Sequence, residues 1–135
     1  MSDRYIHTQV GYCCALVASL NALVYHGTPY RADIEPLKEL TKCNKMPCMN
    51  LAKMWKRLGI KPMRFFWNKE WILGNLPVEC AVVHKDYGYH SILIVGGDEA
   101  EVEVVGFFKK EFTWRELENY LPEKSIRIVR NLKLI

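Results

Sequence analysis

The sequence lacks a long apolar run, a signal-like N-terminus, internal repeats and low-complexity stretches. No segment approaches the roughly 20 apolar residues that a membrane-spanning helix requires. Met1–Tyr5 contains no apolar core of the kind found in secretory signals, so we expect no membrane span and a cytoplasmic protein. The 135 residues are 50% hydrophobic and 25% charged, which excludes disordered and fibrous classes and predicts one domain over residues 1–135.

The chain has five cysteines, an odd number that cannot all pair in disulfides within one chain. Without a secretory signal, an odd number argues against a disulfide framework. Cys43 and Cys48 are separated by four residues, yet no second Cys or His pair follows at zinc-finger spacing. We therefore predict neither a bound metal nor a cofactor.

Acidic residues are nearly missing from one long segment, although the net charge of the chain is only +4. Lys38–Lys69 contains nine basic residues and one acidic residue, which a solvated helix face explains most simply. Such a segment also suits nucleic acid, with Trp55, Phe65, Phe66 or Trp67 stacking on bases. We rank that function last, because Trp55 lies on the apolar side of a predicted helix and the Phe pair lies in a predicted strand, where core packing accounts for them.

Helical patterns fill the first half of the chain. Residues 13–25 are apolar on nearly all sides, which predicts a buried helix ended by Gly27. A second helix is predicted from Asp33 to about Lys42, and a third over residues 50–58, closed by Gly59.

Strand patterns dominate the second half. The predicted strands cover residues 63–67, 78–83, 90–95, 101–105 and 125–129, and short helices are predicted over 71–73 and 113–120. Helices followed by antiparallel strands predict an α+β fold.

Three residues in these predicted elements suit acyl transfer. Cys13 or Cys14 lies at the N-terminus of the first helix, where backbone N–H groups and the helix dipole favour a thiolate. His90 begins a strand in the other half, and it would pair with that thiolate and protonate a leaving amine. The amide of Gln9 and the nucleophile's backbone N–H would bind the developing oxyanion. Each residue alone has an ordinary structural explanation, and it is their order along the chain that favours catalysis.

This order resembles that of the papain-like cysteine peptidases, and most of all the double-glycine peptidases that trim bacteriocin leaders. The resemblance rests on Gln-Val-Gly-Tyr-Cys-Cys before the first helix and on Tyr-His-Ser-Ile-Leu-Ile-Val-Gly at residues 89–96. Residues 47–61, 75–83 and 113–120 resemble further regions of these enzymes. The resemblance implies a papain-like fold, with N-terminal helices packed on a C-terminal antiparallel sheet. It also implies a peptide or protein substrate with small residues before the cut.

The resemblance further implies roles for single residues. In the family, the glutamine stands six residues before the cysteine, which itself stands thirteen before a helix-ending glycine. Cys14 lies five residues after Gln9 and thirteen before Gly27. Cys14 is therefore the predicted nucleophile, with Cys13 as the alternative. His90 is the predicted proton carrier and Gln9 the oxyanion donor.

The third catalytic position departs from the family pattern. The family has Asp or Asn sixteen residues after the histidine, whereas Gly106 stands here. The predicted hairpin places Glu103 opposite Leu93, on the order of 10 Å from His90 along the strand, which is too far to orient its ring. The orienting group is left open between a backbone carbonyl, a water molecule, Asp86 and no group at all.

The sequence therefore predicts a cysteine peptidase in which Cys14 attacks an amide carbonyl, His90 transfers the proton and Gln9 binds the oxyanion. The alternative is a catalytically degenerate papain-like module that binds a protein partner, and the missing side chain at Gly106 favours it. In both cases the expected ligand is a peptide or protein, and we expect no nucleic acid.

Overall fold

The computed structural model describes residue 5 and residues 14–28, 35–41, 50–86 and 88–135. Its helices are α1 (Cys14–Tyr25), α2 (Glu35–Leu40), α3 (Leu51–Leu58), α4 (Lys69–Gly74) and α5 (Trp114–Glu118). Gly27 and Gly59 follow α1 and α3 at φ 78° and 73°, a conformation that strains residues with a Cβ. The predicted ends of these two helices are confirmed. The predicted limits of the second helix, Asp33 and Lys42, lie outside the described residues. No helix in the described ranges is long and apolar enough to cross a bilayer.

The strands form one antiparallel sheet. They are β1 (Ile60–Phe66), β2 (Val78–His84), β3 (Gly88–Gly97), β4 (Glu101–Val105), β5 (Glu111–Thr113) and β6 (Ile128–Leu134). Their order across the sheet is β1-β6-β2-β3-β4-β5, and every neighbouring pair is antiparallel. This arrangement confirms the predicted α+β class.

The sheet carries a hydrophobic core on each face. Leu93 and Val95 of β3 pack in one core with side chains of α1, α2 and α3. Ile92 and Ile94 of the same strand pack in the other core with side chains of α4 and α5. Because successive strand residues point to opposite faces, one strand supplies both cores. The predicted layer of N-terminal helices on a sheet is confirmed, and α4 and α5 add a second helical layer behind it.

The last predicted strand exists, but its predicted bounds, residues 125–129, are wrong. A 3₁₀ turn occupies Lys124–Ile126, and β6 begins only at Ile128. The strand then continues to Leu134 between β1 and β2. Its extent is set by these partners, which lie about fifty residues or more away along the chain, so the local pattern does not reveal it.

The predicted register of the β3–β4 hairpin is also wrong. Glu103 lies opposite Gly96, and Leu93 pairs with Val105. The position of the turn is the main cause, because Gly97 pairs with Val102 and leaves residues 98–101 between these two partners, whereas the prediction centres the turn on Asp98. A bulge between Ile94 and Gly96 changes the register by one position, since one strand there has an extra residue.

The expectation that core packing accounts for both phenylalanines of β1 is wrong as well. Phe65 is 41% exposed and Phe66 is 68% exposed, because β1 lies at an edge of the sheet. Phe65 nevertheless stacks on Trp71 of α4, with ring centroids 4.8 Å apart. Trp55 is buried, as its helical position predicts.

Candidate active site

Cys14 lies where α1 begins, against an edge of β3. β4 pairs with β3 only from Leu93 to Gly97, so β4 does not cover β3 at Ser91. The backbone N–H of Ser91 donates to Cys14 Sγ at 3.2 Å. This hydrogen bond ties the thiol to the strand that carries His90.

The His90 ring is held between the thiol and a backbone carbonyl. Its Nε2 lies 2.6 Å from the carbonyl oxygen of Gly106, and the ring lines the same cleft as Cys14. A carbonyl only accepts hydrogen bonds, so Nε2 carries a proton in this arrangement. In the neutral ring, Nδ1 is then the nitrogen whose lone pair is able to take the thiol proton.

The electrostatics of this pair favour charge separation. Burial raises the pKa of the Cys14 thiol, but the hydrogen bonds from His90 and from the Ser91 N–H, with the charge of His90, outweigh it and lower the pKa below its ordinary value. Burial lowers the pKa of His90, but the hydrogen bonds to Cys14 and to the Gly106 carbonyl, with the charge of the thiolate, raise it overall. Both shifts favour a thiolate beside an imidazolium.

Gly106 follows β4 in a backbone conformation that favours glycine, with φ 89°. Its carbonyl reaches the His90 ring although the residue has no side chain. The ring of Phe107 stacks on the His90 ring at a centroid distance of 6.2 Å and an angle of 28°. The imidazole is therefore bounded by a hydrogen bond at one edge and by an aromatic ring on one face.

The acidic residues weighed from the sequence lie elsewhere. The N–H of Asp86 donates to Nδ1 of His84 at 3.0 Å, and the Asp86 carboxylate lies 3.9 Å from the same nitrogen. Glu103 lies opposite Gly96, toward the turn of the hairpin. Of the alternatives that the sequence leaves open, the structure shows a backbone carbonyl at His90.

A narrow cleft opens beside the thiol, with room for about one water molecule. Four of its lining residues are on α1 and four on the sheet side: Cys14, Val17, Ala18 and Asn21, then His90, Ser91, Val105 and Gly106. The lining is mainly apolar, so a bound group would exchange water for carbon contacts close to Sγ.

The remaining residues predicted for the site, Gln9 and the alternative nucleophile Cys13, lie outside the described residues, as do Cys43 and Cys48. Cys80 is described and differs sharply from Cys14. It is buried in β2, and burial beside the Glu79 carboxylate raises its pKa. Cys80 is thus a core side chain rather than a reactive thiol.

Sequence reasoning missed the Ser91 N–H. It is a backbone group, and residue identity does not reveal backbone groups. The pairing of the strands reveals it, because β4 ends before it reaches Ser91 and so leaves backbone N–H groups of β3 without a hydrogen-bond partner in β4.

The order of helices and strands defines a papain-like α+β fold, and comparisons with known proteins agree. No family model matches the sequence, and no curated protein matches it. Among solved structures, the chain is similar to the peptidase domain of Streptococcus ComA, a bifunctional ABC transporter involved in a quorum-sensing pathway. The TM-score is 0.73 at 13% identity, covering 96% of this chain and 97% of that one.

The chain is also similar to a double-glycine motif protease from an AMS/PCAT transporter, solved in complex with the leader peptide. The TM-score is 0.70 at 12% identity, with 97% of this chain and 91% of that one covered. At such identities the likeness establishes the fold. The chain therefore has the fold of the double-glycine peptidase domains, as its sequence predicts.

Proposed function

We propose that the protein is a cysteine peptidase in which Cys14 is the nucleophile and His90 the general acid and base. The observation that carries the proposal is the placement of a thiol at the start of α1 and an imidazole from β3 in one cleft, where each favours the charged form of the other. Its shifted pKa values favour the thiolate, which is the nucleophilic form of cysteine. The fold that surrounds the pair is that of peptidase domains.

The proposed reaction proceeds in two steps. Cys14 Sγ attacks the carbonyl carbon of a peptide bond, and His90 gives its proton to the departing amine, leaving a thioester on Cys14. Water then attacks the thioester, His90 takes a proton from that water, and the Cys14 thiolate is released with the carboxylic acid, which restores the thiolate beside the imidazolium. We assign the oxyanion to the backbone N–H of Cys14 and, from the resemblance alone, to the side chain of Gln9.

The proposed substrate is a peptide with small residues, such as glycine, before the cut. Two observations support it. The cleft beside Sγ admits about one water-sized group, so a bulky side chain next to the scissile carbonyl would meet the walls formed by α1 and the β3–β4 hairpin. One of the similar proteins was solved in complex with the leader peptide.

The test is cleavage of a peptide library with varied residues before the cut, followed by mass spectrometry. We expect cleavage after small residues by the wild-type protein and its loss in Cys14→Ala. Cys80→Ala is the matched control, because it also removes one thiol but from the core. Continued cleavage by a folded Cys14→Ala variant would contradict the proposal.

A second candidate function is a papain-like module that binds a protein partner without cleaving it. The absence of a side chain at Gly106, where the family has Asp or Asn, favours this alternative. The two candidates differ in the acidity of the Cys14 thiol. A binding module has no need of a thiolate, so an ordinary thiol pKa at Cys14 would support it.

A further inference from the structure

We propose that Gly106 is a positioning residue, whose main-chain carbonyl sets the tautomer and the orientation of the His90 ring. The role in catalysis rests on the proposed function. The positioning itself is a property of the folded chain, so it is testable without a substrate.

The first part of the argument is the chemistry of the acceptor. Nε2 of His90 lies 2.6 Å from the Gly106 oxygen, and a carbonyl oxygen has no proton to donate. The contact is therefore a hydrogen bond only when Nε2 is protonated. That excludes the neutral tautomer with its proton on Nδ1, and it leaves the Nδ1 lone pair for Cys14.

The second part is why glycine stands here. At φ 89° an L-residue with a Cβ is strained. A Cβ added at position 106 would nevertheless meet no atom within 4 Å. A substitution here thus acts through the backbone rather than through a clash, and relief of the strain turns the peptide group and its carbonyl away from the ring.

The third part is the aromatic face. Phe107 stacks on the His90 ring and also packs against Phe112 and Tyr120, with centroids 5.7 and 5.4 Å away. Phe107 is thereby anchored to the core on the far side of the sheet. The carbonyl holds one edge of the imidazole and Phe107 limits its rotation, so two consecutive residues do the work that a single side chain does in the family that the sequence resembles.

A carbonyl differs from a carboxylate in carrying no net charge. It orients the ring and stabilises the imidazolium through a charge-assisted hydrogen bond, but it adds no Coulombic attraction of its own. The negative charge that raises the pKa of His90 is that of the Cys14 thiolate.

The first experiment measures the tautomer directly in the wild-type protein. Nitrogen-15 NMR of labelled histidine, recorded on the folded protein at a pH where His90 is neutral, distinguishes a protonated Nε2 from a protonated Nδ1. We expect His90 to hold its proton on Nε2, with slow exchange of that proton against water. A ring protonated on Nδ1 would overturn the proposal.

The second experiment compares Gly106→Ala with Gly59→Ala. Both glycines have positive φ values, 89° and 73°, and neither has an atom within 4 Å of an added Cβ. The two variants therefore impose similar backbone strain, but only Gly106 contacts His90. The readouts are the thermal midpoint, the histidine tautomer and the rate of iodoacetamide labelling at Cys14 below pH 7.

We expect both variants to lose stability, and only Gly106→Ala to admit the second tautomer and to label Cys14 several-fold more slowly. Equal labelling and an unchanged tautomer in a folded Gly106→Ala variant would overturn the positioning role. Failure of the proposed function looks different: no peptide is cleaved by the wild type, while the effect of Gly106→Ala on tautomer and labelling persists.

Discussion

Replacing His90 by leucine removes the imidazole at nearly constant volume and leaves the rest of the Cys14 environment in place. Burial then still raises the pKa of the thiol, and the Ser91 N–H remains to oppose it. Because the hydrogen bond from His90 and its charge are both lost, the pKa of Cys14 should rise in His90→Leu.

The size of the effect follows from the hydrogen bond that is lost. A hydrogen bond to a charged group contributes roughly 1.5–3 kcal/mol, and about 1.4 kcal/mol corresponds to a factor of ten. At pH values below the pKa of the Cys14 thiol, the fraction of Cys14 present as thiolate should thus fall about ten- to a hundredfold. A more basic thiolate is intrinsically more nucleophilic, with a Brønsted coefficient of about 0.4–0.5 in disulfide exchange. The labelling rate should therefore fall less, about three- to tenfold.

The assay is iodoacetamide labelling between pH 5 and 10, with the site assigned by fragment-ion mass spectrometry so that Cys13 and Cys14 are distinguished. Cys80 is the internal control, because burial raises its pKa and shields it; it should stay unlabelled in both proteins while they are folded. A labelling curve for Cys14 that is the same in the wild type and in His90→Leu would refute the pairing of thiol and imidazole.

Three further predictions concern other contacts. In Cys14→Ala the pKa of His90 should fall, since Cys14 helps to raise it, and an NMR titration measures the change. A raised pKa stabilises the folded state below the pKa of an unfolded histidine, and this stabilisation is lost as the pH rises through the folded value. The variant should therefore be less stable than the wild type mainly at acidic pH. Ser19→Ala should lower the free energy of unfolding by about 1–3 kcal/mol in urea titrations, because it removes the buried acceptor of the Trp55 indole N–H at 2.9 Å; an unchanged midpoint would contradict this. Phe66→Ser should change that free energy by less than about 0.5 kcal/mol, as the ring is 68% exposed, and a larger loss would show that the ring is buried in solution.

Helices α1 and α3 could be predicted closely because the information is local. Each has an apolar pattern over eight or more residues and a glycine at the position where the chain turns left-handed. The strands β2 and β4 could be predicted for a similar reason, since burial of one or both faces of a strand produces an apolar run or an alternation of apolar and polar residues. The sequence order of these elements was also enough to predict the α+β class, whereas the papain-like fold was predicted from the resemblance.

The last strand and the hairpin register could not be predicted in this way. β6 takes its limits from β1 and β2, which are distant in sequence. The hairpin register depends on a turn over residues 98–101 and on a bulge between Ile94 and Gly96, and no residue type marks either of them beforehand. The exposure of Phe66 depends on β1 being at the edge of the sheet, and strand order is a tertiary property.

The candidate site likewise has a part that the sequence predicts and a part that only the tertiary structure reveals. By itself, the sequence predicted the side chains that we propose to bear the chemistry: a thiol at a helix start and a histidine at a strand start follow from residue type and local pattern, and the spacing of the resemblance favoured Cys14 over Cys13. Only the tertiary structure decided what holds them, the Ser91 N–H and the Gly106 carbonyl. Every residue carries these backbone groups, so their role arises from where the chain places them and not from which residues carry them.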